Sequence, residues 1–468
     1  MQLRLSDLWR WDGAIDRGPY LLLGCVLFAV KYNVDRAITL AITGRAWGFV
    51  DLAGFADYVL RRADYAANPK LATALLLSSL PFLWTGLVLS IRRLRSAGLP
   101  RWLAALYFVP FVKLVLFAML ALIPRAAVRT VEKARVHSPF ERFVNVWLPH
   151  SALGSAFVAA LNVAVTGGVL AYFGTTWLRS YQWAVFVGVP FGMGFLAAGL
   201  HCYREKRTIR ACLGVAALSV TLLGAGFLVF AVEGIICLVM AAPLALVLAS
   251  LGAMLAYGLQ RALWQDASSD RVFCVALLCA PVLALIEHHD PPSVPLLRVT
   301  TPIEIAAPPE IVWRHVVSFA DLPPPTEFMF RHGIAYPVRA RIEGRGVGAI
   351  RYCEFSTGAF VEPIEVWDEP RLLKFSVSEN PAPMEEWTPF RSVEPPHLHG
   401  YFCSQRGQFR LVVRADGGTT LEGTTWYHHH MWPSAYWQAM SDVVLHRIHA
   451  RVLRHVRALA EADAATNR

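Results

Sequence analysis

The strongest constraint on the fold of this chain is a change in composition near residue 291. Almost everything before it is apolar, in runs long enough to cross the roughly 30 Å hydrocarbon layer of a bilayer. The 468 residues are 55% hydrophobic and only 17% charged, whereas about a quarter of an average soluble protein is charged. Residues 299–462 are the one long stretch with the composition of a water-soluble domain. The sequence therefore predicts an α-helical multi-pass membrane bundle followed by a soluble domain.

The membrane part divides into two predicted regions. Residues 1–125 form an N-terminal membrane domain of about three spans, and residues 126–287 form a second region of about five. Charged residues such as Lys31 and Asp35 interrupt the first span, and the sixth and seventh spans meet at Glu233-Gly234 as a helical hairpin. The predicted spans are Pro19–Ile42, Leu71–Ile91, Trp102–Ile123, Leu153–Trp177, Trp183–Tyr203, Ala211–Val232, Ile235–Leu259 and Val272–Ile286.

Two phrases in the N-terminal third carry a resemblance to a known family. Gly13-Ala-Ile-Asp-Arg17 precedes the first span, and Arg92-Arg-Leu-Arg95 with Gly98 and Trp102 precedes the third. Together they resemble a bacterial inner-membrane family of unknown function, over about residues 5–125. The family typically has aspartate or histidine-aspartate after Arg-Arg-Leu, whereas this chain has arginine and serine. The resemblance implies a membrane domain and no particular chemistry.

Residues 298–463 are predicted to fold as an α+β domain, with a proline-rich linker over residues 288–297 before it and a tail over residues 464–468. Alternating apolar and polar residues predict a first strand over Arg298–Ile305, and a short helix follows it. Six further strands with short turns between them predict an antiparallel meander. The last element is a long amphipathic helix, about Ser434–Ala462. In this order, a curved sheet wraps the long helix and leaves a cavity between them.

Three phrases in this domain carry a second resemblance. They are Ile303-Glu-Ile-Ala-Ala-Pro-Pro-Glu-Ile-Val-Trp313, Gly348-Ala-Ile-Arg-Tyr-Cys353 and Leu421-Glu-Gly-Thr-Thr-Trp-Tyr427. Together with the element order they resemble the helix-grip superfamily of START-like, polyketide cyclase–dehydrase and Bet v 1 proteins. The resemblance implies a pocket for a hydrophobic ligand. It does not specify the ligand, because this fold hosts binding proteins, transporters and enzymes alike.

Apolar and aromatic side chains are the first candidates for lining such a pocket. Phe409 and Leu411 alternate along one predicted strand, and Phe375 lies on another, so all three are expected to face the long helix. Trp426 and Trp437 belong to an aromatic cluster where the last strand meets that helix. These residues could form the wall and mouth of a cavity, or they could pack as ordinary core.

Charged residues are the second set of pocket candidates. Arg351 and Arg406 could hold a ligand carboxylate or phosphate through two parallel hydrogen bonds, although surface salt bridging is the favoured interpretation of both. Glu362, if buried, would have a raised pKa and could act as an acid or base near neutral pH. Together with His397 and His429, it is the candidate catalytic set for a cyclase or dehydrase.

The histidines of the soluble domain suggest a metal site only weakly. His428-His429-His430 lies at the end of the last strand, and His397 is upstream. Because a strand alternates its faces, His428 and His430 would point one way and His429 the other, whereas zinc needs three or four converging ligands. We therefore expect no metal and no cofactor, and we place His429 at the end of the pocket.

Charge and localisation complete the sequence-based expectations. Basic residues that flank membrane spans account for the net charge of +10, and no pattern of interleaved basic and aromatic residues indicates nucleic-acid binding. We expect an inner-membrane protein whose soluble domain is cytoplasmic, and we leave the oligomeric state open. The leading hypothesis is that this domain binds a hydrophobic small molecule or lipid beside the bilayer. The alternatives are the enzyme and a transporter whose path would use Lys113 and Asn162, with the soluble domain as a regulator.

Overall fold

The chain forms two compact units in the computed structural model. Unit 1 comprises Met1–Gly226 and Ala241–Ser293, and unit 2 comprises Phe227–Met240 and Val294–Arg468. The turn between the sixth and seventh predicted spans therefore belongs to the same unit as the C-terminal α+β domain. The structure describes residues 9–44, 68–123, 125, 144, 146–263, 277–278, 280–285, 287–288, 294–389 and 392–466.

In the N-terminal part of the chain, most of the described residues are helical. Its α-helices are α1 Arg17–Thr43, α2 Pro69–Ser96, α3 Pro110–Leu122, α4 Ala152–Tyr172, α5 Val189–His201, α6 Ile209–Val229 and α7 Ile235–Leu263. Shorter helical segments are a 3-10 helix over Arg101–Phe108 and π-helical turns over Phe173–Trp177 and Ala184–Gly188.

Five helices within the described ranges are long and apolar enough to cross a membrane. The predicted first span forms α1, in which Lys31 and Asp35 interrupt the apolar sequence. The predicted third span is divided between the 3-10 helix and α3, which begins at Pro110, a residue suited to a first helical turn. The predicted eighth span lies partly outside the described residues, so the total number of spans stays a prediction. The five helices are Pro69–Ser96, Ala152–Trp177, Ala184–His201, Ile209–Val229 and Ile235–Gln260.

Two charged clusters inside unit 1 are internally neutralised or hydrogen-bonded. Lys31 donates to Asp35 one turn later in α1 and to the Ser78 hydroxyl of α2, at 2.9 Å. Arg93 is fully buried and donates to backbone carbonyls at the end of α3, including that of Leu120 at 3.0 Å. Because a buried charge is costly unless it is paired or hydrogen-bonded, these contacts explain how the charges are tolerated among apolar helices. They give the second arginine of the Arg-Arg-Leu phrase a structural role.

The transporter alternative stays a prediction, and two features of unit 1 bear on it. Asn162 is exposed and donates to the carbonyl of Val158, at 2.8 Å, within its own helix. A mostly apolar cavity beside α4 and α5, about 20 Å³ in volume, has room for about one water molecule.

Unit 2 contains a seven-stranded antiparallel sheet with the spatial order β1-β9-β8-β5-β4-β3-β2. The first strand pairs with the last, from Leu297 against Tyr427 to Ile305 against Thr419, while β2 to β5 follow one another as a meander. A two-stranded ribbon, β6 with β7, was not predicted. The strands are β1 Leu297–Ile305, β2 Pro337–Glu343, β3 Ile350–Phe355, β4 Gly358–Asp368, β5 Leu372–Ser376, β6 Glu386–Trp387, β7 Ser392–Val393, β8 Phe402–Val413 and β9 Thr419–His429.

In the described residues after Val294, the α-helices are α8 Pro309–Val317, α9 Phe328–Arg331 and α10 Ser434–Thr466. The long helix α10 packs along β1, β9 and β2, and α8 packs against it near its C-terminal half. The curved antiparallel half-barrel sheet around a long C-terminal helix confirms the predicted helix-grip fold.

The buried face of α10 is wider than the apolar stripe in its sequence predicts. That stripe consists of Trp437, Met440, Val444, Ile448, Val452, Val456 and Leu459. Arg451, which the helical pattern places mostly off the stripe, is buried and donates to the carbonyls of Pro337 and Pro323. Leu445 and Leu453 are also buried. The helix is covered on two sides, by the sheet and by the connection from α8 to β2, so a single stripe underestimates its contacts.

Candidate ligand cavity

A cavity of about 120 Å³ lies between α10 and the concave face of the sheet, entirely within unit 2. On the same measure a single water needs roughly 10–15 Å³, so the space is large enough for a small organic group. Most of the lining is apolar: the residues include Phe355, Phe360, Phe375, Val377, Phe409, Val444, Ile448 and Val452.

The cavity follows from the local sequence of its walls. Val444, Ile448 and Val452 recur every four residues, so α10 presents three branched apolar side chains to the same side. On β8, Gly407 stands opposite Phe375 of β5. A side chain at position 407 would place its Cβ only 2.4 Å from the Phe375 ring, so glycine is what allows that ring to lie against the strand.

A buried ion pair is the main polar feature of the cavity wall. Arg351 on β3 and Glu362 on β4 are directly opposite each other in the strand register, and Arg351 donates to the Glu362 carboxylate. Their exposed fractions are only 1% and 6%. Nε of Arg351 also donates to the carbonyl of Val317 at 3.3 Å. Among the described residues, Nη2 of Arg351 has no oxygen or nitrogen acceptor.

Aromatic rings surround the Arg351 guanidinium. Its central carbon lies 5.6 Å from the ring centres of Phe319 and Phe375 and 5.5 Å from that of Phe409. At these distances each ring face attracts the cation, and the attraction is strengthened where water is excluded. The rings and Glu362 together hold the guanidinium in place, while one of its donors remains available at the cavity.

Burial controls the protonation of the groups near this pair. Burial raises the pKa of Glu362, and the adjacent Arg351 opposes that shift. For Arg351, burial lowers the pKa, but the Glu362 carboxylate and the neighbouring Cys353 together raise it above the usual value. Burial also raises the pKa of Cys353 to about 12, so its thiol is neutral. A thiol is a weak hydrogen-bond acceptor and does not satisfy a guanidinium donor well.

Two uncharged polar side chains of the wall, His449 and Asn380, are hydrogen-bonded within unit 2. His449 on α10 lies between two threonine hydroxyls, with Nδ1 3.0 Å from Thr301 and Nε2 2.8 Å from Thr425. Burial lowers the pKa of His449 to about 4, so its imidazole is neutral at pH 7. The Asn380 amide binds the backbone of Ser404. These groups present a polar but uncharged surface.

The structure brings five of the ten predicted pocket residues to the cavity wall. They are Arg351, Glu362, Phe375, Arg406 and Phe409. Phe375 is buried, Phe409 is half-buried, and Arg406 is exposed at the edge of the cavity. Whether any of these residues contacts a ligand stays a prediction.

Two other predicted pocket residues lie elsewhere because of their strand positions. Leu411 is buried in the hydrophobic core on β8 and does not line the cavity. Trp426 lies on the strand between inward-facing Thr425 and Tyr427 and is half-buried, with its ring 5.7 Å from the Arg298 guanidinium of β1.

Three more lie past the cavity. His429 is 2% exposed at the end of β9, with its ring 6.4 Å from that of Tyr427. Trp437 is buried in the first turn of α10 against Tyr436. His397 lies in a 3-10 turn over Pro396–Leu398. The candidate catalytic set of Glu362, His397 and His429 is therefore not assembled at the cavity.

His397 instead belongs to a cluster that the sequence did not predict. Its Nε2 is 2.7 Å from the Cys237 thiol, and its Nδ1 is 3.6 Å from the Glu233 carboxylate. Within the described residues, this is the one group of three histidine, cysteine or acidic side chains with ligand atoms all within 4.8 Å. Among the residues that the structure describes, His428–His430 do not join His397 in such a group. The four-residue spacing of Glu233 and Cys237 at a helix start was the available signal.

Comparisons with known proteins concern the fold of the C-terminal domain. No protein-family model and no curated protein matches the chain. A solved protein of Nitrosospira multiformis shares 19% identity and covers 36% of this chain and 99% of its own, with a TM-score of 0.22. Truncated norcoclaurine synthase from Thalictrum flavum shares 14% sequence identity, and the match covers 36% of this chain and 96% of the synthase, with a TM-score of 0.24. The Aha1 dimer of Colwellia psychrerythraea shares 14% sequence identity, and the match covers 35% of this chain and 96% of the Aha1 chain, with a TM-score of 0.21.

Proposed function

We propose that the C-terminal domain binds a mainly apolar small molecule or lipid in its cavity, within a protein that apolar helices anchor in a membrane. The observation that carries this proposal is the polar group placed in an otherwise apolar pocket: Arg351 is 1% exposed, and its Nη2 has no oxygen or nitrogen acceptor among the described residues. An unsatisfied buried donor costs about 1–3 kcal/mol. A ligand that supplies an acceptor recovers that cost.

The charge balance of the wall defines the chemistry of the ligand. Glu362 already neutralises Arg351, and the neighbouring His449 and Cys353 are uncharged near pH 7. A full anion placed here would meet the Glu362 carboxylate as well as the guanidinium. We therefore propose an apolar body with one neutral acceptor, such as an ester, ketone or hydroxyl oxygen, directed at Nη2 of Arg351.

Phe375 and Phe409 contact the apolar body in this proposal, and Arg406 lies at the entrance. Burial of apolar ligand surface is worth about 25 cal/mol per Å². The aromatic walls thus provide affinity, whereas the Arg351 donor orients the ligand.

The test is native mass spectrometry of the full chain in detergent, with extraction and identification of what is bound. Val444 lines the cavity, whereas its neighbour Val443 is 58% exposed. Val444→Trp should fill the cavity and remove the bound molecule. Val443→Trp adds the same side chain one residue away, in solvent, and should leave occupancy unchanged. Equal occupancy in both variants, or no organic molecule on the unmodified chain, would contradict the proposal.

We also propose an inner-membrane location with unit 2 in the cytoplasm. The thiols of Cys353 and Cys403 are both free, which is compatible with a reducing compartment. A C-terminal fluorescent-protein fusion that fluoresces, together with an inactive alkaline phosphatase fusion at the same place, is the expected result. The reverse pair of results would put the domain on the opposite side.

A further inference from the structure

The cluster of Glu233, Cys237 and His397 lies in unit 2 but is separate from the ligand cavity. Glu233 and Cys237 are four residues apart where α7 begins, so their side chains lie on the same side of the chain. His397 approaches from the 3-10 turn between β7 and β8. The side chains of Glu233 and His397 are 13% and 7% exposed.

The donor atoms form a set that suits a borderline-soft divalent cation. A thiolate, an imidazole and a carboxylate are the three ligand types that proteins use for zinc. In a tetrahedral site with Zn–S of about 2.3 Å and Zn–N of about 2.0 Å, neighbouring donors are roughly 3.5 Å apart. The three ligand atoms here lie within 4.8 Å of one another, so small side-chain rotations bring them to that spacing.

A fourth side chain, Glu386 on β6, supports the cluster from outside. Its carboxylate accepts hydrogen bonds from the backbone amides of Ile236, at 3.2 Å, and Cys237, at 2.6 Å. It is only 1% exposed. Gly234 makes this approach possible, because a Cβ there would lie 1.9 Å from Oε2 of Glu386. Glu386 thus fixes the backbone of one ligand, as outer partners do in metal sites.

The same arrangement could be interpreted as a cysteine nucleophile with a histidine base and a carboxylate. The electrostatics disfavour that reading. A nucleophilic thiolate is stabilised by nearby cations or by free amides at a helix N-terminus. Here the Cys237 amide is already bound by Glu386, and Glu233 adds a second carboxylate to the cluster. Two carboxylates beside a thiol oppose a bare thiolate, whereas they favour a bound cation.

We propose that Glu233, Cys237 and His397 bind one divalent metal ion, with zinc as the metal that best fits these donors. Three protein ligands leave a fourth position for water or another small ligand. This site replaces the expectation that the chain binds no metal, and it does not depend on the proposed ligand cavity.

The test uses the full chain in detergent, stripped with a chelator and then titrated with Co²⁺. Cobalt bound through Cys237 is expected to give a thiolate-to-cobalt charge-transfer band and the visible absorption of tetrahedral cobalt, saturating at one ion per chain. One equivalent of Zn²⁺ should remove both signals. Failure to bind Co²⁺ or Zn²⁺ stoichiometrically would overturn the proposal.

Variants assign the signal to the cluster. Loss of an outer partner weakens a metal site 10–100-fold. His397 and Cys237 are ligands themselves, so loss of either costs more, and His397→Gln and Cys237→Ser are expected to weaken Co²⁺ binding by about 100-fold or more. Glu386→Gln should weaken it by roughly 10–100-fold. The matched controls are His399→Gln, an exposed histidine two residues away, and Cys403→Ser, a half-buried cysteine in the same unit; both should bind like the unmodified chain.

Two outcomes separate this proposal from its rivals. A charge-transfer band that survives Cys237→Ser would place the metal on other cysteines and overturn the assignment. The other outcome is that iodoacetamide labels Cys237 rapidly in the metal-free chain and that added Zn²⁺ fails to slow the labelling. This result would favour a nucleophilic cysteine and would also overturn the metal-site proposal. Protection of Cys237 by Zn²⁺ in the unmodified chain supports the site without depending on the folding of any variant.

Discussion

Replacing Glu362 by glutamine tests the energetics of the buried ion pair directly. The substitution keeps the shape and an acceptor oxygen, but it leaves the Arg351 charge without its counter-ion at a site that is 1% exposed. Removing one partner of a buried pair typically costs 3–5 kcal/mol. The Nε bond to Val317 and the three surrounding rings remain, so the expected cost is at the lower end, about 3 kcal/mol.

Amide hydrogen exchange of β3 and β4 in the full chain measures this cost locally. A loss of about 3 kcal/mol corresponds to roughly 100-fold faster exchange, since every 1.4 kcal/mol is tenfold. Glu354→Gln is the matched control on β3. Glu354 pairs with Arg339 and Arg341 on the exposed side of the sheet, where such pairs contribute little, so exchange should be nearly unchanged.

A double variant separates a lost attraction from a stranded charge. Arg351→Met combined with Glu362→Leu removes both charges and fills similar volume, and such replacements are often neutral or stabilising. We expect the double variant to regain most of the protection that Glu362→Gln loses. Wild-type exchange in Glu362→Gln, or a double variant no better than the single one, would refute the reasoning.

Three further predictions concern the same cavity. In Glu362→Gln, Arg351 becomes an uncompensated cation, so lipid extracted from that variant should be enriched in carboxylate-bearing species, as mass spectrometry would show. His449 has a folded-state pKa of about 4, below the roughly 6.5 of an unfolded histidine, so the unfolded chain binds more protons as pH falls. Acidification from pH 7 to 5 should therefore lower the free energy of unfolding by about 2 kcal/mol through this residue, and denaturation of His449→Gln should depend less on pH. Gly407→Ala would place a Cβ 2.4 Å from the Phe375 ring, so that ring should shift and the bound ligand should be lost in native mass spectra.

Much of the fold could be predicted because its patterns are local. Period-two alternation located the strands, and apolar runs located the helices of unit 1. The element order then indicated the helix-grip arrangement. Local patterns failed where an element is covered from two directions, as for Arg451, whose contacts come from Pro337 and Pro323. A helical stripe describes one buried face, whereas tertiary packing decides how many faces are buried.

The candidate site shows the same division. Sequence reasoning selected Arg351 and Glu362 separately, but only the register of β3 with β4 sets them opposite each other and neutralises the charge. It also placed Trp426 in the pocket by type, whereas the alternation of β9 turns that ring away from the cavity.

The sequence by itself determined the division into apolar helices and one α+β domain, because burial of apolar surface and backbone hydrogen bonding act over short stretches of chain. Only the tertiary structure decided which distant groups meet. Cys237 and His397 are separated by 160 positions, and their contact at 2.7 Å has no local pattern to announce it. Side-chain chemistry at a site depends on distances between such residues, and those distances exist only once the chain has folded.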